Sequence, residues 1–225
     1  MLKSLQDLAN LLFPHTCSGC NRPLVRAEKS ICLHCQNQLP IRLNFGNEEL
    51  KQRFYGRLQV EEALGFLLFK NKGLTQKLLH SIKYKGNQVL AVEIGRLFGL
   101  ACKERNLLSS VHVVVPIPLH KSKLRFRGFN QSALIAQGLA LALQVKLDEE
   151  SVIRRTKTST QTKKNRMERW KNVDSTFEVA SGYLENKHVL IVDDVITTGA
   201  TLESCGQTIL TSGASKLSIA CLAIA

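Results

Sequence analysis

Apolar residues along this chain alternate between a helical and an extended pattern. Spacings of three and four residues, which are typical of one helix face, cover residues 74–84, 89–102, 131–143 and 202–210. Short apolar runs, which are typical of buried strands, cover residues 63–69, 111–118, 189–192 and 217–225, with weaker ones at 151–155 and 176–179. Because strands and helices alternate, the pattern predicts an α/β fold whose parallel sheet is flanked by helices.

Two regions near the N-terminus fall outside this alternation. Leucines at helical spacing predict a short amphipathic helix at the very start of the chain: Leu2, Leu5, Leu8 and Leu12. Residues 41–56 are polar and mixed, which favours a connecting segment. We therefore predict three units, namely an N-terminal domain over residues 1–45, a linker over 46–60 and the α/β domain over 61–225.

The charge balance indicates the kind of partner. Lys and Arg number 31 against 18 Asp and Glu, a formal net charge of +13, which favours phosphorylated small molecules or nucleic acid. No apolar run approaches the roughly 18 residues of a membrane helix, and the N-terminus lacks the apolar core of a signal peptide. We expect a cytoplasmic protein with no membrane insertion.

Four of the seven cysteines form two C-x2-C pairs separated by eleven residues: Cys17, Cys20, Cys32 and Cys35. Four thiolates at this spacing predict a structural zinc site, with His15 or His34 replacing one cysteine as the alternative. Zinc would supply the folding free energy of a segment too small to fold alone. The other cysteines lie in apolar surroundings and are predicted to be core residues: Cys102, Cys205 and Cys221.

The segment VLIVDDVITTGATL carries the most specific chemistry. Asp193 and Asp194 follow the apolar run 189–192, at the end of a predicted strand. A loop of small residues then leads into a helix: Thr197, Thr198, Gly199, Ala200 and Thr201. Backbone N–H groups at a helix start bind anions, and carboxylates accept hydrogen bonds from hydroxyls. A ribose 5-phosphate would satisfy both halves, whereas the alternative is a surface turn with no ligand.

This segment resembles the 5-phosphoribosyl 1-pyrophosphate (PRPP) signature of type I phosphoribosyltransferases. The resemblance implies a type I phosphoribosyltransferase-like sheet and a 5-phosphate site at residues 197–201. It also implies that Asp193 and Asp194 are catalytic, holding the ribose hydroxyls while positive charge develops on the ring. Mg²⁺ would accompany the pyrophosphate of PRPP.

Two basic segments are predicted to be loops near the same sheet edge. The first, within residues 119–130, carries Lys121, Lys123, Arg125 and Arg127. The second, within residues 154–171, carries Arg155, Lys157, Lys163, Lys164, Arg166 and Arg169. Both are candidates for binding pyrophosphate or DNA, and the alternative is that both are simply solvated. Lys83 and Lys85, before Gly86, are interpreted as a solvated helix end, with a phosphate contact as the alternative.

The two basic segments, the acid motif and the paired cysteines together resemble the ComF family of competence-associated phosphoribosyltransferase-like proteins. That resemblance implies a role in DNA uptake during natural transformation, with PRPP, single-stranded DNA and DNA-uptake proteins as partners. The implied activity is a glycosyltransferase of the phosphoribosyltransferase type, with an undefined acceptor. Two other hypotheses remain open: a non-catalytic single-stranded DNA adaptor with a regulatory or vestigial PRPP site, and a nucleotide-salvage phosphoribosyltransferase.

Overall fold

The computed structural model describes residues 15–25, 27–42, 48–155, 176–180 and 182–225. The strands are β1 Ala63–Leu68, β2 Val113–Pro116, β3 Lys146–Leu147, β4 Val152–Arg154, β5 Phe177–Val179, β6 His188–Ile196 and β7 Lys216–Ile224. The helices are α1 Leu33–Asn37, α2 Glu48–Gln52, α3 Leu74–Lys85, α4 Gln88–Glu104, α5 Lys121–Arg127, α6 Gln131–Leu143 and α7 Ala200–Thr211. The helix predicted over the first residues of the chain lies outside the described ranges.

A parallel sheet with the order β1-β7-β6-β2-β3 organises the chain, which confirms the predicted α/β class. β6 pairs with β7 from His188 to Ile196, but with β2 only as far as Val192. The last residues of β6 therefore extend past the end of β2 on that side. β4 and β5 form a separate antiparallel pair.

The two faces of the sheet carry two apolar clusters. Along β6, Leu190 and Val192 belong to the cluster that includes α3, α4, α6 and the N-terminal cysteines. Val189 and Ile191 belong to the other, which includes α7 and the β4–β5 pair. This alternation is what a central strand buried on both faces requires. Among the helices of the described ranges, none has the length and apolar character needed to cross a membrane.

Residues 48–60 pack closely against the α/β domain. Leu50, Phe54, Leu58 and Val60 are buried in the cluster that contains α7, and Arg42 N–H donates to the Phe66 carbonyl of β1. The division of the chain into three units stays a prediction, but these residues contribute to the core beside β1.

The structure corrects three details of the predicted elements. The first basic segment is not a loop but contains helix α5, capped by His120 Nδ1 on the Ser122 N–H and by Gly128 in the left-handed conformation. α5 buries no residue, so it has no apolar stripe from which a helix could be predicted. β3 was not predicted because it has only two residues, Lys146 and Leu147. β6 runs past its predicted end at residue 192 to Ile196 because β7 continues beside it.

Candidate functional site

The two acids lie inside the last part of β6 rather than after it. Asp193 pairs in register with Cys221 of β7, and β2 has already ended at this level. In open parallel sheets, ligands bind beyond the carboxyl ends of the strands. Asp193 and Asp194, called the acid pair below, therefore occupy the edge where a ligand site is expected.

Asp194 is buried and forms an ion pair with a lysine from a distant part of the chain. Its residue surface is 6% exposed, and its Oδ2 lies 2.9 Å from Lys83 Nζ. Lys83 stands in the last turn of α3, so this contact brings the end of α3 to the carboxyl edge of the sheet. Without a counter-charge, a buried carboxylate would be strongly destabilising. Lys83 supplies that charge.

Asp193 is held by hydrogen bonds rather than by an ion pair. Its Oδ1 accepts from Ser132 Oγ at 2.8 Å and from the backbone N–H of Asp194 at 2.8 Å. Burial, followed by the charge of the neighbouring Asp194, raises the pKa of Asp193 to about 6. The Asp193 carboxylate is thus ionised at neutral pH but close to its titration range.

The residues after β6 form an open loop into α7. Thr197, Thr198, Ala200 and Thr201 are exposed, whereas Gly199 is buried. Gly199 has φ of +82°, and a Cβ there would lie 3.1 Å from a ring carbon of Phe54, so both its backbone and its surroundings require glycine. The loop therefore presents its hydroxyls and the start of α7 to solvent, as an anion site needs.

Arg53 and Arg57 support this loop from outside the motif. Arg53 donates to the Thr197 carbonyl at 2.9 Å, and Arg57 pairs with Glu203 in the first turn of α7 at 2.6 Å. These contacts fix the loop and add positive charge beside it. Neither arginine was singled out from the sequence, because both lie in a segment without a motif.

The first basic segment joins β2 to the helix that contacts Asp193. α5 follows β2, and α6, whose Ser132 touches Asp193, follows α5. Lys121, Lys123 and Arg125 are exposed, while Arg127 donates to Gln131 at 2.8 Å.

In the second segment Arg155 pairs with Glu178 at 2.8 Å. The remaining predicted residues of that segment lie outside the described ranges: Lys157, Lys163, Lys164, Arg166 and Arg169.

The N-terminal cysteines converge as a metal site would. The four Sγ atoms of Cys17, Cys20, Cys32 and Cys35 lie within 4.8 Å of one another, and Cys20 Sγ is 3.7 Å from Cys32 Sγ. Zn–S bonds of about 2.3 Å give a tetrahedron with S···S edges of about 3.8 Å. The four residues, called the cysteine cluster below, thus fit a zinc ion. Neither His15 nor His34 belongs to the group.

The backbone around Cys17 favours its thiolate. Burial alone would raise the pKa of Cys17, but backbone N–H groups of Cys32, Cys20 and Gly19 directed at its sulfur lower that pKa to about 7. The thiolate is the form that binds metal. Burial, followed by the neighbouring sulfurs, raises the pKa of Cys35 in the same cluster. Burial also raises the pKa of Cys102 to about 12, as expected for the predicted core cysteine.

Lys83 is the functional side chain that sequence reasoning undervalued. It was interpreted as part of a solvated helix end, yet it lies against Asp194. The available signal was its position at the end of a predicted helix, before Gly86, where a phosphate contact was the alternative interpretation. Ser132 carried a weaker signal, because a serine in the first turn of a helix is commonplace.

Comparisons with known proteins agree with this geometry. The family described as "Phosphoribosyl transferase domain" matches residues 130–224, which include Ser132, the acid pair and the loop into α7. DNA utilization protein YhgH of Escherichia coli (strain K12) is 31% identical over 64% of this chain and 65% of its own length, so that match spans less than two thirds of the relative. Competence protein F of Haemophilus influenzae is 25% identical over 92% of this chain and 96% of its own length. Competence protein ComFC of Bacillus subtilis is 33% identical over 45% of this chain and 39% of its own length.

Among solved structures, the glutamine PRPP amidotransferase from B. subtilis, complexed with ADP and GMP, is 20% identical to this chain. It superposes with a TM-score of 0.43 over 59% of this chain and 26% of that chain.

Proposed function

Since this chain belongs to the ComF family of phosphoribosyltransferase-like proteins, we propose that it binds PRPP at the carboxyl edge of its sheet and acts in DNA uptake. The observation that carries the proposal is the acid pair, with Asp194 buried and Asp193 half-buried, beside the open start of α7. One half of this arrangement accepts hydrogen bonds from hydroxyls, and the other donates them to an anion. PRPP offers both groups on one molecule.

Each part of the site would contact a different part of the ligand. The N–H groups and hydroxyls of residues 197–201 would hold the 5-phosphate, and Asp193 and Asp194 would accept from the ribose hydroxyls. The pyrophosphate would lie toward the exposed cations of α5, with Mg²⁺ bound to its oxygens. Lys83 would hold the Asp194 carboxylate in place through their ion pair while the ligand is absent.

The same contacts would support transfer of the phosphoribosyl group. In that reaction the bond from ribose C1 to the pyrophosphate oxygen breaks, and its electron pair leaves with pyrophosphate. A nucleophilic acceptor then forms a bond to C1. The ring passes through a positively charged state, which the acid pair would stabilise electrostatically. The acceptor is the component that the described residues do not specify.

A role in DNA uptake is supported by the names of the relatives and by exposed charge. Relatives across most of this chain are named for competence or DNA utilization. α5 exposes Lys121, Lys123 and Arg125 together with Phe126, which is 80% exposed. Cations beside an exposed ring are the combination that binds single strands. A second candidate function, a single-stranded DNA adaptor that carries out no transfer, rests on this surface.

The proposal is tested by calorimetric titration of the full chain with PRPP and Mg²⁺. Asp193→Asn/Asp194→Asn should lose at least about tenfold in affinity, because removing a hydrogen bond to a charged group costs about 1.5–3 kcal/mol. The matched control is Asp148→Asn/Glu149→Gln, an adjacent acid pair in which Asp148 is also buried but accepts from Glu150 and Ser151 N–H groups. Equal affinity in both variants would contradict the proposal.

A further inference from the structure

A second polar cleft lies between the cysteine cluster and α3. It has a volume of 570 Å³. Its lining comes from Thr16, Ser18 and Asn21 on one side and from Gln76, Lys77, His80, Ser81, Lys85 and Asn87 on the other. The described residues that line it include no carboxylate. We call it the knuckle cleft; Cys17 of the cysteine cluster also lines it, but no residue of the acid pair or of the loop at residues 197–201 does.

The walls of the knuckle cleft are joined by side-chain hydrogen bonds. Asn87 Nδ2 donates to Ser18 Oγ at 3.0 Å, and Ser81 Oγ lies 3.4 Å from the same oxygen. At Gly19 a Cβ would lie 2.7 Å from Leu74 Cδ1, so the cysteine-bearing loop sits directly on α3. The cleft is therefore preformed.

One face of α3 supplies the positive charge of the cleft. Lys77, His80, Ser81, Tyr84 and Lys85 recur at spacings of three, four, seven and eight residues, so they share a helix face. Lys77 and Lys85 are exposed, and neither takes part in an ion pair among the described residues. Their charges are available to a ligand, unlike that of Lys83.

Aromatic rings continue this face away from the cleft. The rings of His80 and Tyr84 have centroids 4.9 Å apart, and the Arg127 guanidinium lies 5.7 Å from the centroid of Tyr84. Tyr84 is 61% exposed. A small anion would bind the cations without contacting the exposed ring. A single strand carries both phosphates, which bind cations, and bases, which stack on aromatic rings.

We propose that single-stranded nucleic acid binds along this face of α3, with phosphodiester groups in the knuckle cleft at Lys77 and Lys85 and a base stacked on Tyr84. The inference rests on the DNA role proposed above and places its contact site. Arg127 links the face to α5, so the strand would pass from the exposed cations of α5 over Tyr84 to the cysteine cluster. No residue of the acid pair or of the loop at residues 197–201 lies on this path, whereas the α5 cations would be shared with the pyrophosphate of PRPP.

The test measures binding of a fluorescein-labelled thymidine oligonucleotide to the zinc-loaded full chain across a salt series. If Lys77 and Lys85 each neutralise one phosphate, Lys77→Gln/Lys85→Gln should make the slope of log K against log salt shallower by about 1.4. The control, Lys103→Gln/Lys216→Gln, removes the same charge at exposed sites outside the cleft and should leave the slope unchanged. Tyr84→Ala should weaken binding roughly 5- to 150-fold, and Tyr84→Phe should restore it.

Two results would overturn the inference. One is an equal change of slope in both lysine variants, which would mean that net charge alone binds the oligonucleotide. The other is a wild-type chain that binds no oligonucleotide. PRPP titration of the same samples separates this failure from that of the proposed PRPP site, because neither lysine belongs to that site.

Discussion

The cysteine cluster and the acid pair each gather groups that repel one another when ionised, but they are stabilised in opposite ways. The four sulfurs of the cluster lie within 4.8 Å of one another, and the hydrogen bonds they make come from backbone N–H groups and from one another. The acid pair has partners within the chain, since Lys83 pairs with Asp194 and Ser132 donates to Asp193. We therefore expect the cluster to need a metal ion to fold, whereas the acid pair has its partners in place without a ligand.

We expect this difference to distinguish a structural metal site from a ligand-binding site. A metal that completes the cysteine cluster contributes to the stability of the fold itself. The acid pair remains only partly compensated, because burial and the charge of Asp194 still raise the pKa of Asp193. A carboxylate whose pKa is raised in this way is typical of sites that bind a ligand.

The largest expected effect comes from the cysteine cluster. Removing the metal with a strong chelator, or substituting Cys17→Ser/Cys20→Ser, should unfold the segment around residues 15–42, because structural zinc sites contribute on the order of 10 kcal/mol. Hydrogen exchange should show lost protection there and partial loss in α3, which packs on the cluster. Cys102→Ala serves as the control and should retain one zinc per chain. Full protection of residues 15–42 in the metal-free protein would contradict the structural role.

A smaller loss is expected when the acid pair loses its counter-charge. Lys83→Met should lower the free energy of unfolding by about 2 kcal/mol. Breaking a fully buried pair costs about 3–5 kcal/mol, and the Lys83 side chain is 22% exposed, which lessens the cost. Urea denaturation measures the difference, and Lys85→Met, on the exposed side of the same turn, should change stability by less than about 0.5 kcal/mol. Equal losses in the two variants would mean that Asp194 does not depend on Lys83.

The pH dependence of stability isolates Asp193. Its pKa rises from 3.8 to about 6 on folding, so between these values the folded state binds more protons than the unfolded state. Stability from this group is complete below about pH 4 and is lost as pH rises through 6. Asp193→Asn should therefore match the wild type at pH 4 and exceed it by on the order of 2 kcal/mol at pH 7.5. Urea denaturation at both pH values measures this, and a variant that is less stable at pH 7.5 would contradict the account.

The fold was largely predictable because buried helices and strands place apolar residues at regular spacings along the sequence. Helix α6 matches its predicted bounds of 131–143, and β6, β7, α3 and α4 were found with shifts at their ends. Elements without a buried stripe escaped detection, as in α5, whose seven residues bury none of their side chains. The two-residue strand β3 is too short to show any period.

The candidate site was predictable only where its residues are neighbours in sequence. The acid pair and the loop at residues 197–201 form one continuous motif, and the cysteines form two close pairs. Lys83, Ser132 and Arg53 reach the site through tertiary contacts, and no local pattern marks a lysine that will meet an aspartate more than a hundred residues away. The knuckle cleft is hidden for the same reason, since its two walls come from separate segments.

The measurement that tests the central claim most directly is denaturant unfolding of the wild type and of Asp193→Asn/Asp194→Asn, with and without PRPP and Mg²⁺. Without ligand, the two proteins should agree within about 1 kcal/mol, because loss of the Lys83–Asp194 pair offsets relief of the repulsion between the acids. With PRPP at about 100 times its Kd, the wild type should gain about 2.7 kcal/mol and the variant should gain almost nothing. If PRPP stabilised both proteins equally, or if the variant failed to fold, the acid pair would not be a site held ready for ribose phosphate.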